Sequence, residues 1–248
     1  MAVHGRVACF RSHTGASTDT PLLLVHGIGC SSEAFGPVLA RWSAQAEPRP
    51  ALAPDMPGFG RSAGPRRALD MEALADWLRE FLEVLAVPRV HVVGHSMGCQ
   101  VALALARQAP TRTASVTLIG PTTGDQLEGA APYGLGLAAD SLVESMAWNW
   151  TLTRMALQMG MRRYVPTLGH MLRDHPIARA DEVTCPALVL RGARDWIIRR
   201  DAACRLAAAL PRGRYLEIPR GAHALQFNRV DEFLAALGPF VAAAEHGS

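Results

Sequence analysis

Short apolar runs alternate along the chain with longer stretches in which apolar residues recur at helical spacing. Most of the runs are too short and too continuously apolar for half-exposed strands, so they are typical of strands inside a parallel sheet that helices cover on both faces. The pattern predicts an α/β fold with a mostly parallel central sheet flanked by helices. The runs predicted as strands are Arg6 to Phe10, Leu22 to His26, Ala51 to Pro54, Val90 to Gly94, Ser115 to Gly120, Ala187 to Arg191 and Arg214 to Ile218.

The segment Asp70 to Val87 has the clearest helical pattern. Its apolar residues are spaced three and four positions apart, which places them on one face of a helix. Asp70 is placed to cap the first turn, and Pro88 ends the pattern because proline cannot continue a helix. The sequence also predicts helices over Met97 to Gln108, Asp201 to Leu210 and Val230 to Ala244.

The alternation stops between residues 121 and 183, where helical patterns occur without a convincing strand. We predict that this segment is a small helical cap inserted before the penultimate strand, and that residues 1–120 and 184–248 form one core domain. Methionine and tryptophan are concentrated here, and such adaptable side chains either pack a cap onto its core or line an apolar substrate pocket. The residues predicted to bind substrate are Trp148, Trp150, Met155 and Met159.

The composition indicates a folded protein and excludes several kinds of function. Hydrophobic residues make up 49% of the chain and charged residues 19%, which is enough apolar surface for a substantial core. The net charge is only +3 and the arginines are interspersed with acids, so neither nucleic acid nor a membrane is predicted as a partner. The chain contains no lysine, which excludes a lysine nucleophile, a Schiff base and a P-loop lysine.

The five cysteines have neither C-x-x-C spacing nor histidines at metal-ligand spacing. They predict free thiols in a reducing compartment and no metal site, and nothing in the sequence indicates an organic cofactor. The N-terminus has no leader-like apolar run and no apolar segment approaches the length of a membrane span, so the expected location is the cytoplasm. Cys30 and Cys99 lie beside the motifs described next, and Cys99 is either a reactive thiol at a helix N-terminus or a small buried side chain.

Residues Gly94 to Gly98 read G-x-S-x-G between a predicted strand and a predicted helix. At such a turn the serine side chain is lifted off the sheet, and both glycines are needed because a Cβ in either place would clash. Ser96 is therefore the candidate nucleophile. The motif alone also occurs by chance in ordinary turns of a chain with 22 glycines, but the strand before it and the helix after it favour the catalytic interpretation.

A serine hydroxyl needs a base within hydrogen-bond reach, and the base needs an acid that holds its tautomer. Of the nine histidines, only His223 follows the last predicted strand in a glycine-containing loop. Asp195 lies in the equivalent loop one strand earlier, whereas Asp201 is better placed to cap the next helix. Taken singly, Asp195 could pair with a neighbouring arginine and His223 could be an ordinary loop histidine. Together with Ser96 they each follow the carboxyl end of a strand, where ligands bind in open parallel sheets.

The sequence His-Gly-Ile-Gly at residues 26–29 follows another predicted strand. Acyl transfer passes through an oxyanion, and backbone N–H groups aimed at this oxygen lower the barrier. Met97, directly after the candidate nucleophile, would supply one N–H group of an oxyanion hole, and Ile28 would supply the other. His26 is interpreted as a structural residue that braces this loop.

With these motifs, the chain resembles the α/β-hydrolase fold superfamily. The motifs that carry the resemblance are HGIG at 26–29, DMPGFGRS at 55–62, GHSMG at 94–98, GARD at 192–195 and GAH at 221–223. The resemblance implies the α/β-hydrolase fold, a triad of Ser96, Asp195 and His223, and a helical cap in residues 121–183. The serine at position 96 argues against the members that use aspartate there, which are the epoxide hydrolases and haloalkane dehalogenases.

The predicted activity is that of a serine hydrolase, which cleaves an ester, a thioester or a lactone of a small, fairly apolar substrate through an acyl-enzyme on Ser96. The resemblance leaves two alternatives. Hydrolases of carbon–carbon bonds in ring-cleavage-type diketones are similar in the GHSMG elbow and in the GPT at 120–122, and some proteins of this fold bind ligands without turnover. In each case the expected partner is a small molecule, and the oligomeric state is left open.

Overall fold

The computed structural model describes residues 2–3, 6–7, 10–13, 19–45, 48–123 and 129–246. Its strands are β1 (Ala2–Val3), β2 (Arg6–Val7), β3 (Phe10–His13), β4 (Leu22–Val25), β5 (Ala51–Pro54), β6 (Val90–His95), β7 (Thr113–Ile119), β8 (Ala187–Gly192) and β9 (Gly213–Ile218). Its helices are α1 (Gly36–Ser43), α2 (Met71–Val84), α3 (Met97–Gln108), α4 (Ala130–Ser141), α5 (Met146–Met159), α6 (Met161–Arg173), α7 (Arg200–Ala209), α8 (Leu225–Asn228) and α9 (Val230–His246).

Seven of these strands form the central sheet, in the order β3-β5-β4-β6-β7-β8-β9. The six strands from β5 to β9 in this order are parallel, and β3 runs antiparallel along the β5 edge. Strands β4, β6, β7 and β8 are buried along their whole length, as their continuous apolar runs predict, whereas β9 at the other edge includes exposed positions. The predicted α/β fold with a mostly parallel sheet is therefore confirmed.

The first predicted strand is wrong in its bounds. We predicted one strand over Arg6 to Phe10, but the structure pairs Arg6–Val7 with Ala2–Val3 and places a separate strand, Phe10–His13, against β5. Residues 8 and 9 of the predicted strand lie outside the described residues. Because β3 is an edge strand, it tolerates polar residues, so residues 11–13 lack the continuous apolar pattern by which the other strands were predicted.

The predicted helices correspond to α2, α3, α7 and α9. The Asp70 side chain accepts a hydrogen bond from Ala73 N at 2.9 Å, which is the cap of α2 expected from the sequence. The helix ends at Val84, before the predicted end at Val87, because Ala86 adopts a left-handed conformation with φ of 54°. No helix in the described residues is long and apolar enough to cross a bilayer.

Helices α4, α5 and α6 and a 3₁₀ helix at Pro176–Glu182 lie between β7 and β8. We call residues 129–182 the helical insertion. The described residues between β7 and β8 contain no strand. Side chains of the insertion line the same cavity as residues that follow β4, β6, β8 and β9, so the insertion lies over the carboxyl edge of the sheet.

The sheet is packed on both faces. On one face α2, α3 and α7 bury a cluster that includes Phe81 and Val92, and on the other face α1 and α9 bury a cluster that includes Val93 and Phe233. The neighbouring valines of β6 thus point to opposite faces, as expected for a strand. Helix α3 follows Ser96 directly and is buried along almost its whole length, so the core fixes the backbone that holds Ser96.

Candidate active site

Ser96 lies at the sharp turn between β6 and α3. Its backbone has φ of 55° and ψ of −121°. Non-glycine residues in such rare conformations cost about 1–3 kcal/mol each and persist only where the surroundings hold them. A Cβ on Gly94 would come within 2.5 Å of the Gly98 carbonyl oxygen, and a Cβ on Gly98 would overlap the Val25 carbonyl. The packing therefore requires both glycines of the motif.

The Asp195 carboxylate and the His223 imidazole form a buried pair. Asp195 lies just after β8, where its Oδ1 accepts hydrogen bonds from Ile197 N at 2.9 Å and Ile198 N at 2.8 Å. Its Oδ2 accepts a hydrogen bond from His223 Nδ1 at 2.8 Å. Since an ionised carboxylate can only accept, this bond assigns a proton to Nδ1, so Nε2 is the nitrogen of the neutral His223 ring that can act as a base.

The charges around His223 favour its protonated form. Burial of the ring lowers the pKa of His223, but the carboxylates of Asp195, Asp140 and Glu144 outweigh burial and raise this pKa to about 9. The imidazolium that forms when a base takes up a proton is therefore stabilised at this position.

The structure brings Asp195, and not Asp201, to His223. Asp201 is exposed in the first turn of α7, where its carboxylate accepts hydrogen bonds from Arg199 Nε at 3.0 Å and Arg205 at 2.7 Å. The helix begins at residue 200, so Asp201 lies inside the first turn and does not occupy the capping position predicted for it.

Gly120 lies against the Asp195–His223 pair, a position that the sequence pattern did not indicate. It follows β7 with φ of 53°. A Cβ at this position would come within 2.7 Å of His223 Nδ1 and 3.2 Å of Asp195 Oδ2. The only signal in the sequence is a glycine at the last position of a predicted strand, which does not reveal what packs against it.

The loop after β4 runs against Ser96. A Cβ on Gly27 would come within 3.1 Å of Ser96 Cβ, and Cys30 N donates a hydrogen bond to the Gly27 carbonyl at 3.3 Å, so the loop makes a tight turn. Ile28 lies in this turn and lines the cavity described below. Met97 is the first residue of α3, with its side chain in the core. The two residues predicted to form an oxyanion hole thus lie beside Ser96 on two different elements.

Buried polar side chains brace this loop. His26 Nδ1 donates a hydrogen bond to the Gly27 carbonyl at 2.9 Å, and Met56 N donates to His26 Nε2 at 3.1 Å. The geometry agrees with the structural role predicted for His26. Asp55 was not identified as a site residue, but its Oδ1 accepts a hydrogen bond from Ser32 N at 2.7 Å and so fixes the end of the same loop.

A cavity of about 650 Å³ lies beside Ser96 and His223. Its walls are mostly apolar and include Ile28, Tyr133, Leu137, Trp148, Leu152, Ala156, Tyr164 and Ile197. The charged or titratable side chains that line it include Asp140 and Glu144, and no arginine is found among its described lining residues. In the described part of the chain, no group of three or more His, Cys, Asp or Glu side chains is arranged to hold a metal ion.

Of the four residues predicted to bind substrate, only Trp148 lines the cavity. Trp150 is 71% exposed, because a residue two positions further along a helix is turned by about 200° to the opposite side. Met155 is buried, and its sulfur accepts a hydrogen bond from Ser31 Oγ at 3.2 Å. Met159 packs against the main core. The sequence indicated the helix but not which of its faces meets the cavity.

His95 is a buried polar residue of the cavity that was not predicted as a site residue. Neither of its ring nitrogens has a hydrogen-bond partner among the described residues. Its ring lies 4.9 Å from the ring of His223 and 6.0 Å from that of Trp148. Burial, assisted by His223, lowers the pKa of His95 well below its ordinary value and keeps the ring neutral. Such a ring can donate or accept one hydrogen bond to a bound molecule.

Cys99 is fully buried, and its Sγ donates a hydrogen bond to the Gly94 carbonyl at 3.2 Å. Burial raises the pKa of Cys99 well above its ordinary value, so desolvation outweighs the effect of the helix N-terminus. Cys30 lines the cavity, and burial raises its pKa to about 12. Of the two interpretations of Cys99, the buried side chain is the one observed.

Comparisons with known proteins relate this chain to one family. A model described as "Alpha/beta hydrolase family" matches residues 22–236. The dihydrolipoyllysine-residue acetyltransferase component of the acetoin cleaving system of Pseudomonas putida is 30% identical over 241 residues, which are 88% of this chain and 62% of that relative. The chain therefore spans only part of that relative's length. A 2-hydroxy-6-oxononadienedioate/2-hydroxy-6-oxononatrienedioate hydrolase of Paraburkholderia phymatum is 26% identical over 260 residues, with 92% of this chain and 88% of the relative covered.

Among solved structures, the enol-lactonase of Burkholderia xenovorans has a TM-score of 0.83 to this chain at 20% sequence identity. The similarity covers 98% of this chain and 99% of the enol-lactonase. At this identity the likeness shows the fold alone. The family model matches most of the chain, and the observed sheet is mostly parallel with helices on both faces. This chain therefore belongs to the alpha/beta hydrolase family.

Proposed function

We propose that this chain is a serine hydrolase, which cleaves an ester, a thioester or a lactone of a small, fairly apolar substrate. The observation that carries the proposal is the buried Asp195–His223 pair, whose histidine lines a mostly apolar cavity together with Ser96. In this mechanism Ser96 is the nucleophile, His223 is the base and Asp195 orients the base. The backbone N–H groups of Ile28 and Met97 form the oxyanion hole.

The first half of the reaction forms an acyl-enzyme. Ser96 Oγ attacks the substrate carbonyl carbon while His223 Nε2 takes the hydroxyl proton, and Asp195 stabilises the imidazolium through the 2.8 Å bond to Nδ1. The carbonyl oxygen becomes an oxyanion, and each N–H donor aimed at it contributes about 3 kcal/mol toward lowering the barrier. The bond to the leaving alcohol or thiol then breaks, and His223 gives the proton to the leaving group.

The second half releases the acid. A water molecule attacks the acyl carbon while His223 again takes a proton, and the same N–H groups bind the oxyanion. The bond to Ser96 Oγ breaks, and the proton returns from His223 to the serine. The enzyme is restored and the net reaction is hydrolysis, with no cofactor in the scheme.

The proposed domain organisation places a helical cap over this site. Residues 121–183 form a cap over the site, and residues 1–120 and 184–248 form the core domain. Side chains of α4 and α5 provide apolar wall at Leu137 and Leu152, and such a wall binds an acyl chain because each buried methylene contributes about 0.8 kcal/mol. A cavity of about 650 Å³ has the size of a small-molecule site.

Hydrolysis of a carbon–carbon bond is the second candidate, favoured by the similarity to the Paraburkholderia phymatum hydrolase. The substrate in that relative's name is a dicarboxylate. In this chain Asp140 and Glu144 line the cavity and its described lining residues include no arginine. A substrate carboxylate would therefore lie beside two acids without an arginine to pair with, which is unfavourable. This argument favours an uncharged ester, thioester or lactone.

A fluorophosphonate probe combined with a substrate panel tests the proposal. We expect the probe to label the wild-type protein once and to leave the Ser96→Ala protein unlabelled. The wild-type protein should turn over p-nitrophenyl esters, thioesters or lactones many times. Equal labelling of Ser96→Ala, or hydrolysis that stops after one equivalent of product, would contradict an enzyme with this nucleophile, and the second result would indicate a ligand-binding protein. Faster cleavage of a vinylogous diketone than of every ester would favour the second candidate.

A further inference from the structure

Two acids of the helical insertion lie beside the candidate triad. Asp140 is in the last turns of α4, and Glu144 follows one turn later, where its backbone N donates a hydrogen bond to the Asp140 carbonyl at 3.0 Å. Both side chains line the cavity, and Asp140 is only 2% exposed. The mechanism proposed above gives neither of them a role.

Asp140 binds the loop that carries the acid of the triad. Its Oδ1 accepts a hydrogen bond from Trp196 N at 3.2 Å, and Trp196 directly follows Asp195. The next amide, Ile197 N, donates to Asp195 itself at 2.9 Å. The turn after the triad acid is therefore held by two carboxylates, one from the loop and one from the insertion.

Glu144 binds the loop that carries the base. Its Oε1 accepts a hydrogen bond from Ala224 N at 2.6 Å, and Ala224 directly follows His223. Its Oε2 accepts a hydrogen bond from Asn228 Nδ2, and Asn228 Oδ1 accepts one from Ser145 Oγ at 2.6 Å. Three hydrogen bonds thus join the turn after α4 to the segment that begins at the base.

We propose that Asp140 and Glu144 are positioning residues, which hold the two triad loops from the helical insertion and so keep the base against its acid. The proposal rests on the proposed function, since it assigns them a role only if His223 is the base. It follows that the docking of α4 is a condition for full kcat, although neither carboxylate takes part in the bond changes.

The same two carboxylates set the charge around the base. The titratable side chains that face His223 are Asp195 after β8, Asp140 and Glu144 in the insertion, and His95 at the end of β6. Burial keeps His95 neutral and raises the pKa of Glu144 to about 7. Only unprotonated His223 can accept a proton, and the ionised acids favour its protonated form. Replacing either acid by its amide should therefore lower the pKa of His223 and shift the acid limb of kcat/KM to lower pH.

Paired substitutions at Glu144 separate positioning from charge. Glu144→Gln keeps an oxygen that can accept from Ala224 N, and Asn228 can turn its amide to meet the new NH₂ group, whereas Glu144→Ala removes all of these bonds. We expect Glu144→Ala to lower kcat by about 10- to 100-fold while KM changes less than about threefold. Glu144→Gln should have a plateau kcat within about threefold of that of the wild type. In Glu144→Gln and in Asp140→Asn, the acid limb should lie about 0.5–1 pH unit lower than in the wild type.

Asp181→Asn is the matched control, because Asp181 is an exposed acid of the same insertion that does not line the cavity. It should leave both kcat and the acid limb unchanged. Thermal unfolding followed by circular dichroism reports whether each variant folds. If Glu144→Ala does not fold, the acid limbs of Glu144→Gln and Asp140→Asn still test the proposal.

Two results would overturn this proposal and leave the proposed function intact. One is an unchanged acid limb in both amide variants, and the other is a folded Glu144→Ala protein with normal kcat. Both presuppose a wild-type protein that hydrolyses a neutral ester and loses this activity in Ser96→Ala. A wild-type protein without that activity would instead overturn the proposed function, and this proposal with it.

Discussion

Single residues fix the distances between the proposed catalytic groups, and Gly120 is the residue that packs most directly against them. It packs against both partners of the hydrogen bond between Asp195 and His223, so a Cβ there acts on the acid–base pair without removing either side chain. Its left-handed backbone adds a second reason for glycine, because L-residues adopt that conformation at a cost.

We expect Gly120→Ala to lower kcat by about 100-fold or more, since a shift of about 1 Å at the reacting groups costs this much. It should also lower the free energy of unfolding by about 1–3 kcal/mol. Gly238→Ala is the control, because Gly238 lies inside α9 with open space around its Cβ position. That change should raise the free energy of unfolding by about 0.5–1 kcal/mol and leave kcat unchanged. Urea unfolding and steady-state kinetics measure both quantities, and a fully active Gly120→Ala protein would disagree with the observed packing.

The two aspartates near the end of β8 should differ sharply in their effect on activity. Asp195→Asn keeps an oxygen for the two loop amides but presents an NH₂ group to His223, which favours the wrong ring tautomer and should lower kcat by about 10,000-fold. Asp201→Asn should change kcat little, because Asp201 is exposed and contacts only surface arginines among the residues described here. Steady-state kinetics of the two purified variants gives the ranking. The reverse ranking would assign the acid to Asp201.

At the scale of elements, α5 presents one face to the cavity and another to solvent. Trp148 lines the cavity, whereas Trp150 is 71% exposed. The two tryptophans therefore form a matched pair of test sites on one helix.

We expect Trp148→Ala to change the ratio of kcat/KM between long and short acyl substrates by about 10-fold or more, because contacts with several methylenes are lost. Trp150→Ala should leave this ratio within about twofold, since an exposed side chain makes no contact with a buried acyl chain. A series of p-nitrophenyl esters of increasing length measures the ratio. Equal chain-length profiles in the wild-type and Trp148→Ala proteins would exclude Trp148 from the acyl site.

Elements with a regular pattern could be predicted from the sequence, and those defined by their neighbours could not. The helix after Asp70 was predicted with its cap, and the strand before Ser96 was predicted as a buried central strand, because periodicity and continuous apolar runs are local properties. The edge strand Phe10–His13 was misplaced because its partner lies more than 35 residues away in β5, and pairing at an edge imposes no apolar pattern. The face that α5 turns toward the cavity was likewise set by docking.

At the scale of the whole molecule, the candidate site could be predicted because a parallel sheet brings the carboxyl ends of its strands to one edge. Ser96, Asp195 and His223 each follow a strand, so their order along the chain was enough to place them together. The contributions of Asp140, Glu144 and Gly120 could not be predicted in this way. Their roles depend on how the helical insertion and β7 lie against those loops, and contacts between distant segments leave no local periodicity.

The central claim is that Ser96 and His223 act as one catalytic unit, and a double-mutant cycle on kcat/KM tests it most directly. The account predicts that Ser96→Ala and His223→Ala each lower kcat/KM by about 1,000-fold or more with folding intact, and that the double variant is hardly worse than either single variant. Near-normal hydrolysis by purified Ser96→Ala protein, or losses that multiply in the double variant, would contradict it.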